Sequence, residues 1–264
     1  MNDLFRLDGR TAIVTGGASG LGLGIAKALG ERGASLVVAD INSDNLILAE
    51  HELVNLGYKV APSYCDVTKE ETFINTLKLA EERFGGADIL VNNAGVTRMQ
   101  EFFDVQISDF QLIYDVNVIS LFNCTKYFAE DLIKRGKGGS IVNISSNGAK
   151  VTYKDQIHYC SSKAAVANMT QNMADIFAEY GINANAICPG AVDTSMLRDC
   201  MVATEEQTKG AVTVEDCVKT WGPAQIGRLI EPEEVGRIVA FLCSEAGAMI
   251  RGQSINVDAG NTRF

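Results

Sequence analysis

The residue pair with the clearest chemistry is Tyr159 and Lys163, which lie four positions apart in a stretch of helical periodicity. Residues at i and i+4 share a helix face, so this spacing places the lysine ammonium beside the tyrosine phenol. An unperturbed phenol has a pKa of about 10, which is too high for a base at neutral pH. Because a nearby positive charge lowers a phenol pKa, the pair predicts a tyrosine that exchanges a proton with a substrate hydroxyl.

The Tyr-x-x-x-Lys spacing is common by chance, so its weight depends on the segments around it. Ser145 and Ser146 end an apolar run shortly before the tyrosine, and a hydroxyl there can hydrogen-bond a substrate oxygen. Another apolar run ends in the Asn-Asn-Ala-Gly segment at 92–95. Ligands of parallel sheets bind at the carboxyl ends of strands, so these polar groups are expected at one edge.

A glycine-rich turn follows the first apolar run and reads Thr-Gly-Gly-Ala-Ser-Gly-Leu-Gly at 15–22. Missing side chains let the backbone approach a pyrophosphate, and the following helix presents free N–H groups to its charge. Asp40 lies eighteen residues beyond Gly22, where a carboxylate accepts hydrogen bonds from the adenosine ribose and repels a 2′-phosphate. No basic residue stands at 39, 41 or 42, so the turn and the acid together predict NAD rather than NADP.

These residues need a framework of strands, and the chain supplies short apolar runs separated by helical patterns. Continuous apolar runs are typical of parallel strands that are covered on both faces. Helices are expected from Leu21 to Gly33, from an N-cap at Thr68, and from Pro232 to about Ser244. The predicted strands are Thr11–Thr15, Leu36–Asp40, Lys59–Asp66, Asp88–Asn92, Ser140–Ile144, Ile182–Cys188 and Ser254–Asp258. The sequence therefore predicts an α/β fold, a doubly wound parallel sheet of about seven strands in one domain over 1–264.

The least regular stretch runs over about 192–225, where polar and apolar residues mix without a firm period. A long segment of this kind inside a compact domain is usually a lid or binding loop, and we expect a substrate lid here. The alternative is a pair of ordinary surface helices.

The composition of the chain limits the kinds of partner that the protein can bind. The net charge is −10 and the basic residues are dispersed, which argues against nucleic acid and against an anionic membrane surface. Seven cysteines form no CxxC pair, and two histidines are too few for a metal cluster, so free thiols and no metal are expected. No run of eighteen apolar residues and no secretory pattern is present, and a cytoplasmic location is expected.

Taken together and in order, these motifs resemble the short-chain dehydrogenase/reductase family, and the resemblance covers essentially the whole chain. The segments that carry it are Thr-Gly-Gly-Ala-Ser-Gly-Leu-Gly at 15–22, Cys65-Asp66-Val67, Asn-Asn-Ala-Gly at 92–95, Asn117, Ser-Ser before Tyr-x-x-x-Lys, and Cys188-Pro189-Gly190 followed by Thr194. The resemblance implies an NAD-dependent alcohol dehydrogenase/reductase with a Rossmann fold. It also implies a homotetramer built on two long helices, about 108–135 and 157–180, and on the C-terminal strand.

The resemblance assigns roles to individual residues. The implied catalytic residues are Asn117, Ser146, Tyr159 and Lys163; Ser146 is preferred to Ser145 because it lies thirteen residues before the tyrosine. Asn117 is expected to kink its helix and hold a water that links Lys163 to solvent. The expected cofactor-binding residues are Gly16, Ser19, Gly20, Leu21, Gly22, Asp40, Asp66, Val67, Asn93, Gly95, Tyr159, Lys163, Pro189, Gly190, Val192 and Thr194. In the expected mechanism, Tyr159 removes the hydroxyl proton while hydride passes to the nicotinamide and Ser146 steadies the oxygen.

The substrate stays open among several classes. Polar and basic groups in the loops after the middle strands suit a polyol, a sugar or a sugar acid, and the Asn-Asn-Ala-Gly-Val-Thr-Arg run resembles the gluconate 5-dehydrogenase branch. Arg98 either contacts such a substrate or is a solvated surface charge, and His158 is expected in a wall or on the surface rather than as a base. One alternative is a hydroxysteroid or 3-oxoacyl thioester in an apolar pocket; a remote one is a non-catalytic NAD sensor. The apolar pocket would use Phe102, Phe103, Met196, Leu197, Met201 and Trp221.

Overall fold

A computed structural model describes residues 3–222 and 226–262, and its centre is one parallel sheet. The strands of the described chain are β1 (Thr11–Thr15), β2 (Ser35–Asp40), β3 (Val60–Tyr64), β4 (Ile89–Asn92), β5 (Gly139–Ile144), β6 (Ile182–Pro189) and β7 (Ser254–Val257). Their order across the sheet is β3-β2-β1-β4-β5-β6-β7, and every neighbouring pair is parallel. The predicted doubly wound sheet is confirmed, with strand ends shifted by one or two residues.

Helices cover both faces of this sheet. They are α1 (Gly20–Glu31), α2 (Ser43–Asn55), α3 (Glu70–Phe84), α4 (Ile107–Tyr114), α5 (Ser120–Arg135), α6 (Ile157–Phe177), α7 (Ser195–Gln207), α8 (Val214–Trp221) and α9 (Pro232–Cys243). The predicted N-cap at Thr68 is wrong: Lys69 holds that position, and the Thr68 hydroxyl donates instead to Asp66 Oδ1 at 2.7 Å.

Alternate strand residues feed two hydrophobic cores, one on each face of the sheet. Val14 and Val38 pack on the side of α1 and α9, whereas Ile13 and Val37 pack on the side of α3 and α5. On the first side α1 and α9 approach closely because Gly24 carries no side chain; a Cβ there would lie 2.4 Å from Pro232 Cβ. All seven cysteines are free thiols, as expected.

The predicted helix at 108–135 is interrupted by a π-helical turn over Asp115–Ile119, between α4 and α5. Its hydrogen bonding reaches five residues back, with the Ser120 N–H donating to the Asp115 carbonyl. Asn117 lies inside this turn and is buried. π-helical turns are frequent at functional sites, and this one lies behind the carboxyl end of β4.

The segment expected to be an irregular lid is largely helical where the structure describes it. Thr194 caps α7 by accepting the Leu197 N–H at 3.2 Å, and Thr213 forms a capping box with Asp216 at the start of α8. Met201, Cys217 and Leu229 form a small core that belongs to these helices. The irregular-loop interpretation is therefore wrong for 195–207 and 214–221, while 223–225 lie outside the described residues.

Candidate active site

A cavity of about 830 Å³ opens at the carboxyl ends of β1, β4, β5 and β6. Of the predicted site residues, those that line it are Gly16, Ser19, Gly20, Leu21, Gly22, Asp40, Asp66, Val67, Asn93, Gly95, Ser146, Tyr159, Lys163, Pro189, Gly190, Val192 and Thr194. Asn117 lies behind this wall rather than in it. Seven separate segments of the chain therefore meet at the edge where parallel sheets bind ligands.

Tyr159, Lys163 and Ser146 lie together in the inner part of the cavity. The Lys163 ammonium is 5.7 Å from the centroid of the Tyr159 ring and donates to the Ile144 carbonyl at 2.9 Å. The Ser146 hydroxyl accepts the Gly148 N–H at 3.0 Å, which fixes its place at the end of β5. Both the phenol and the hydroxyl can therefore reach one substrate oxygen.

Burial dominates the protonation of this pair in the protein alone. It raises the pKa of Tyr159 to about 12, against an opposing hydrogen bond with Ser146. It also lowers the pKa of Lys163 to about 8. Burial therefore determines the direction of the Tyr159 pKa in the protein alone, and the lowering expected from positive charge stays a prediction for the protein with NAD bound.

Asn117 supports the site through its side-chain amide. Its Oδ1 accepts the Val96 N–H at 2.8 Å, and its Nδ2 donates to the Val96 carbonyl at 3.0 Å and to Ser162 Oγ at 3.1 Å. A Cβ on Gly95 would lie 3.2 Å from Asn117 Oδ1 and 3.4 Å from Lys163 Nζ, so glycine lets the three segments meet. Both N–H groups of the Asn117 amide are thus bonded to protein, while Oδ1 accepts one of the two hydrogen bonds that an amide oxygen can take.

The glycine turn has the shape of an anion cradle. Gly16 adopts φ +59°, and a Cβ on Gly22 would lie 2.0 Å from the Gly16 carbonyl oxygen. Asn93 holds the turn by donating to the Thr15 and Gly16 carbonyls at 3.0 and 2.9 Å. The first turn of α1 contains no acid, and Ser19 makes no side-chain cap, so the helix N-terminus faces the cavity uncompensated.

Asp40 stands beside this turn at the end of β2. Its Oδ2 accepts the Ala18 N–H at 3.1 Å, and its Oδ1 accepts the Asn42 N–H at 3.0 Å. The carboxylate is thus held rigidly in the cavity wall, where a ribose diol can reach it. Together with the bare glycine turn, this arrangement fits a dinucleotide.

The outer part of the cavity has mixed chemistry. Its wall contains Met99, Asn147, Tyr153, Asp155, Gln156, Met196, Leu197, Cys200, Thr220 and Trp221. Asp155, Cys200 and Thr220 were not predicted from the sequence. Cys200 follows Met196 by one helical turn, so a correct prediction of α7 would have indicated it. Asp155 precedes α6 in an irregular segment, and no periodicity marks it.

The basic groups expected near the substrate are bonded elsewhere. Arg98 forms an ion pair with Asp109, and Lys150 Nζ donates to the Ser254 carbonyl at 2.9 Å. Neither lines the cavity, whose one cation among the described residues is Lys163. His158 is fully buried rather than on the surface, with hydrogen-bond partners on both ring nitrogens.

Comparisons with known proteins agree with this site. Residues 16–262 match the profile of a family described as enoyl-(acyl carrier protein) reductase. The chain is 35% identical over 262 residues to the 7alpha-hydroxysteroid dehydrogenase of Escherichia coli strain K12, covering 99% of this chain and 98% of that one. It is 33% identical over 256 residues to the D-beta-hydroxybutyrate dehydrogenase of Cupriavidus necator, covering 96% and 98%.

A solved structure of 7 alpha-hydroxysteroid dehydrogenase complexed with NADH and 7-oxo glycochenodeoxycholic acid superposes with a TM-score of 0.88. That protein is 34% identical, with 100% of this chain and 99% of that chain covered. The chain therefore belongs to the short-chain dehydrogenase/reductase family, and the resemblance predicted from the sequence is confirmed. It is an oxidoreductase that acts on CH–OH groups. Among its described helices, none is long and apolar enough to cross a membrane.

Proposed function

We propose that this protein interconverts a secondary alcohol and a ketone with NAD(H), and that Tyr159 exchanges the proton. The observation that carries the proposal is that one cavity contains Tyr159, Ser146 and Lys163 together with the glycine turn and Asp40. NAD(H), when bound, accepts or returns the hydride of the alcohol carbon. The protein's own residues orient the substrate oxygen and move its proton.

Each of the three inner residues has a distinct task in this proposal. Ser146 hydrogen-bonds the substrate oxygen and polarises it. Tyr159 takes the proton from the alcohol, or returns it to the ketone, from within hydrogen-bond reach. Lys163, anchored on the Ile144 carbonyl, supplies positive charge beside the phenol and a donor toward the nicotinamide ribose. Asn117 holds the loop that follows β4 through Val96, and it would hold a water that links Lys163 to solvent.

The cofactor would lie along the cavity from the glycine turn to the end of β6. Gly16, Ser19, Gly20, Leu21 and Gly22 would hold the pyrophosphate, while Asp40 receives the adenosine ribose and disfavours a 2′-phosphate. The remaining proposed contacts are Asp66 and Val67 at the adenine, Asn93 and Gly95 in the middle, and Pro189, Gly190, Val192 and Thr194 at the nicotinamide.

We propose a neutral, hydroxylated substrate such as a polyol or sugar. The outer cavity offers no lysine or arginine of the described chain to a carboxylate, since Arg98 and Lys150 are bonded elsewhere. Asp155 instead places a carboxylate there. A carboxylate accepts hydrogen bonds from hydroxyls and repels an acid, so sugar acids are less suited than neutral polyols.

A hydroxysteroid is the second candidate. Met196, Leu197 and Trp221 line the outer cavity, as an apolar ring system requires, and one relative is a hydroxysteroid dehydrogenase. The other apolar residues suggested for such a pocket lie elsewhere: Met201 is buried in the core of α7 and α8, and Phe103 is 93% exposed. Phe102 lines a separate shallow hollow beside α6.

The experiment that tests the proposal follows NADH absorbance with the purified protein and panels of polyols, sugars, sugar acids, hydroxysteroids and 3-hydroxyacyl esters. NAD-dependent oxidation of neutral polyols or sugars, with weaker rates on acids, is the expected result. Preference for hydroxysteroids would establish the second candidate. Tight NADH binding with no turnover of any alcohol would contradict the enzymatic proposal and favour a sensor.

We also propose a homotetramer and a cytoplasmic location. The outer faces of α4, α5 and α6 and of the turn between α4 and α5 carry exposed apolar side chains, and we propose that they form one apolar patch that a second copy covers. They are Leu112, Ile119, Phe122, Ile133, Ile157 and Ile176. Identical patches on two copies would form a symmetric interface. The free thiols suit a reducing compartment.

A further inference from the structure

His158 immediately precedes Tyr159, and the proposed reaction does not use it. Its side chain is completely buried, and buried polar groups in proteins have hydrogen-bond partners. Nδ1 lies 2.9 Å from the Tyr159 backbone nitrogen, and Nε2 lies 3.0 Å from Gln100 Oε1. The imidazole therefore joins the start of α6 to the loop that follows β4.

The partners determine where the ring proton is. A backbone N–H can only donate, so Nδ1 must accept from Tyr159 and carry no proton. Nε2 then holds the proton and donates it to Gln100 Oε1, which leaves the Gln100 amide nitrogen to donate to Asp109 Oδ2 at 2.9 Å. The other Asp109 oxygen pairs with Arg98. Each hydrogen bond thus sets the direction of the next one.

Only the neutral imidazole satisfies both of these hydrogen bonds. An imidazolium would direct a second N–H at the N–H of Tyr159, and one of the two contacts would be lost. Burial lowers the pKa of His158, in agreement with the neutral form, although Asp109 opposes that effect and Arg98 reinforces it. Both ring nitrogens of the buried His158 are engaged by protein groups, so it is not available to exchange protons with a substrate. Its contacts hold neighbouring segments in place.

The same contacts fix the first turn of α6, which carries Tyr159, relative to the loop that follows β4. Gln156, which precedes α6, makes no side-chain cap, so the His158 ring supplies a side-chain acceptor for the Tyr159 N–H in the first turn. Gln100 also donates its backbone N–H to the Asp155 carbonyl at 2.8 Å. Its neighbour Met99 and Asp155 both line the substrate end of the cavity.

We propose that His158 is a positioning residue: through Nδ1 it fixes the first turn of α6 and hence the Tyr159 phenol, and through Nε2 and Gln100 it holds the loop that follows β4. The proposal rests on the proposed function, in which the phenol exchanges the substrate proton. A base that is displaced by about 1 Å can lose roughly 100-fold in rate while the cofactor site stays intact. The role should therefore show in kcat and not in NADH affinity.

Variants of His158 separate the two hydrogen bonds. His158→Asn keeps an acceptor at the place of Nδ1 but cannot reach Gln100, whereas His158→Leu removes both contacts. Gln100→Leu keeps the bond to Tyr159 and removes the link to the loop. We expect kcat to fall roughly 10- to 100-fold in His158→Leu, with an unchanged NADH Kd by fluorescence titration, and to recover largely in His158→Asn. Gln100→Leu should mainly raise KM for the alcohol.

Two results would overturn the proposal. One is a folded His158→Leu protein whose kcat stays within about threefold of the wild type, too little for a displaced base. The other is equal loss in His158→Asn and His158→Leu. If His158→Leu does not fold, His158→Gln takes its place, because glutamine reaches toward Gln100 and leaves the Tyr159 N–H without its acceptor. His158→Gln must then be slower than His158→Asn.

A measurement without turnover separates this proposal from the proposed function. The chain has two histidines, and the exposed His51 serves as the internal reference. Ring ¹⁵N shifts of the full chain at neutral pH should show His158 neutral with its proton on Nε2. Amide exchange at Tyr159 should accelerate in His158→Leu and not in His158→Asn. A charged His158, the Nδ1-protonated form or unchanged exchange would contradict the positioning role even if no alcohol is oxidised.

Discussion

At the residue scale, the inner site contains two ionisable groups that burial affects in opposite directions. The pKa of Tyr159 lies at about 12 and that of Lys163 at about 8, each because water is excluded from it. In the protein alone both groups are therefore predominantly uncharged between about pH 8 and pH 12, whereas Lys163 is predominantly charged at neutral pH. A positive charge brought to the cavity would lower the pKa of the tyrosine, which is the property that a proton-exchanging phenol needs.

The buried lysine predicts a pH dependence of stability. Between pH 8 and 10.5 the unfolded chain binds more protons at Lys163 than the folded chain, so the free energy of unfolding should rise with pH in this window. Relative to Lys163→Met, the wild type should gain up to about 3 kcal/mol there. Urea unfolding of both proteins at pH 8 and pH 10 measures this difference. A constant difference would mean that Lys163 is not held in a desolvated site.

Asp40 predicts the choice of nucleotide. Its removal in Asp40→Ser or Asp40→Ala should narrow the preference for NAD over NADP roughly tenfold, because the repulsion of a 2′-phosphate is lost. Asp40 also accepts the Ala18 and Asn42 N–H groups, so Asp40→Asn is the control that removes the charge and keeps an acceptor. The kcat/KM values for both nucleotides give the result. A wild type that already prefers NADP would contradict the assignment.

At the element scale, the strands and the helices differ in how far the sequence determines them. β1 is buried throughout and has the apolar centre Ala-Ile-Val at 12–14, and a short run of this kind can be recognised in the sequence. α7 and α8 could be given only as the alternative to a loop, because they are polar on one side and the buried residues of their small core are Met201, Cys217 and Leu229. Because the apolar runs mark where each strand ends, the site residues that follow the strands could also be predicted.

Contacts between distant residues could not be predicted. The pairing of Arg98 with Asp109 depends on how the β4 loop folds against α4, and no local pattern indicates it. Asp155 likewise lines the cavity from an irregular segment, whose backbone accepts the Gln100 N–H. The residues of the inner site could therefore be predicted from the sequence. The charge of the outer cavity could be read only from the folded structure.

The small core of α7 and α8 predicts a local effect on substrate binding. Met201 is fully buried there, and Met201→Ala should destabilise these two helices by about 2–5 kcal/mol while leaving the sheet intact. We expect a higher KM for the alcohol, an unchanged NADH Kd, and faster hydrogen exchange confined to 195–221. Val202→Ala, at a position 46% exposed in the same helix, is the control. Equal effects of both variants would contradict the packing role.

At the scale of the whole molecule, the charge and the exposed apolar side chains have separate consequences. A net charge of −10 favours solubility and disfavours polyanionic partners. The apolar patch on α4, α5 and α6 favours association of identical copies. Both are compatible with an oligomer that leaves the carboxyl edge of the sheet open to small molecules.

The patch predicts the oligomeric state and how to change it. Light scattering after size exclusion should give four times the chain mass of 28.4 kDa. Ile176→Glu, at a position 61% exposed on α6, should lower that mass because it buries a charge in the interface. The control is Ile47→Glu on α2, which is the same substitution at a similarly exposed position outside the patch. It should leave the mass unaffected. A monomeric wild type would contradict the proposed assembly.

The central claim is that the Tyr159 phenol exchanges the substrate proton beside bound NAD(H), and Tyr159→Phe tests it most directly. This change removes one oxygen from a buried ring and leaves the glycine turn and Asp40 untouched. With the best substrate of the panel, kcat should fall by about 10²–10⁴-fold or more while the NADH Kd, measured by fluorescence, stays at the wild-type value. A Tyr159→Phe protein that binds NADH normally and keeps turnover close to that of the wild type would contradict the account.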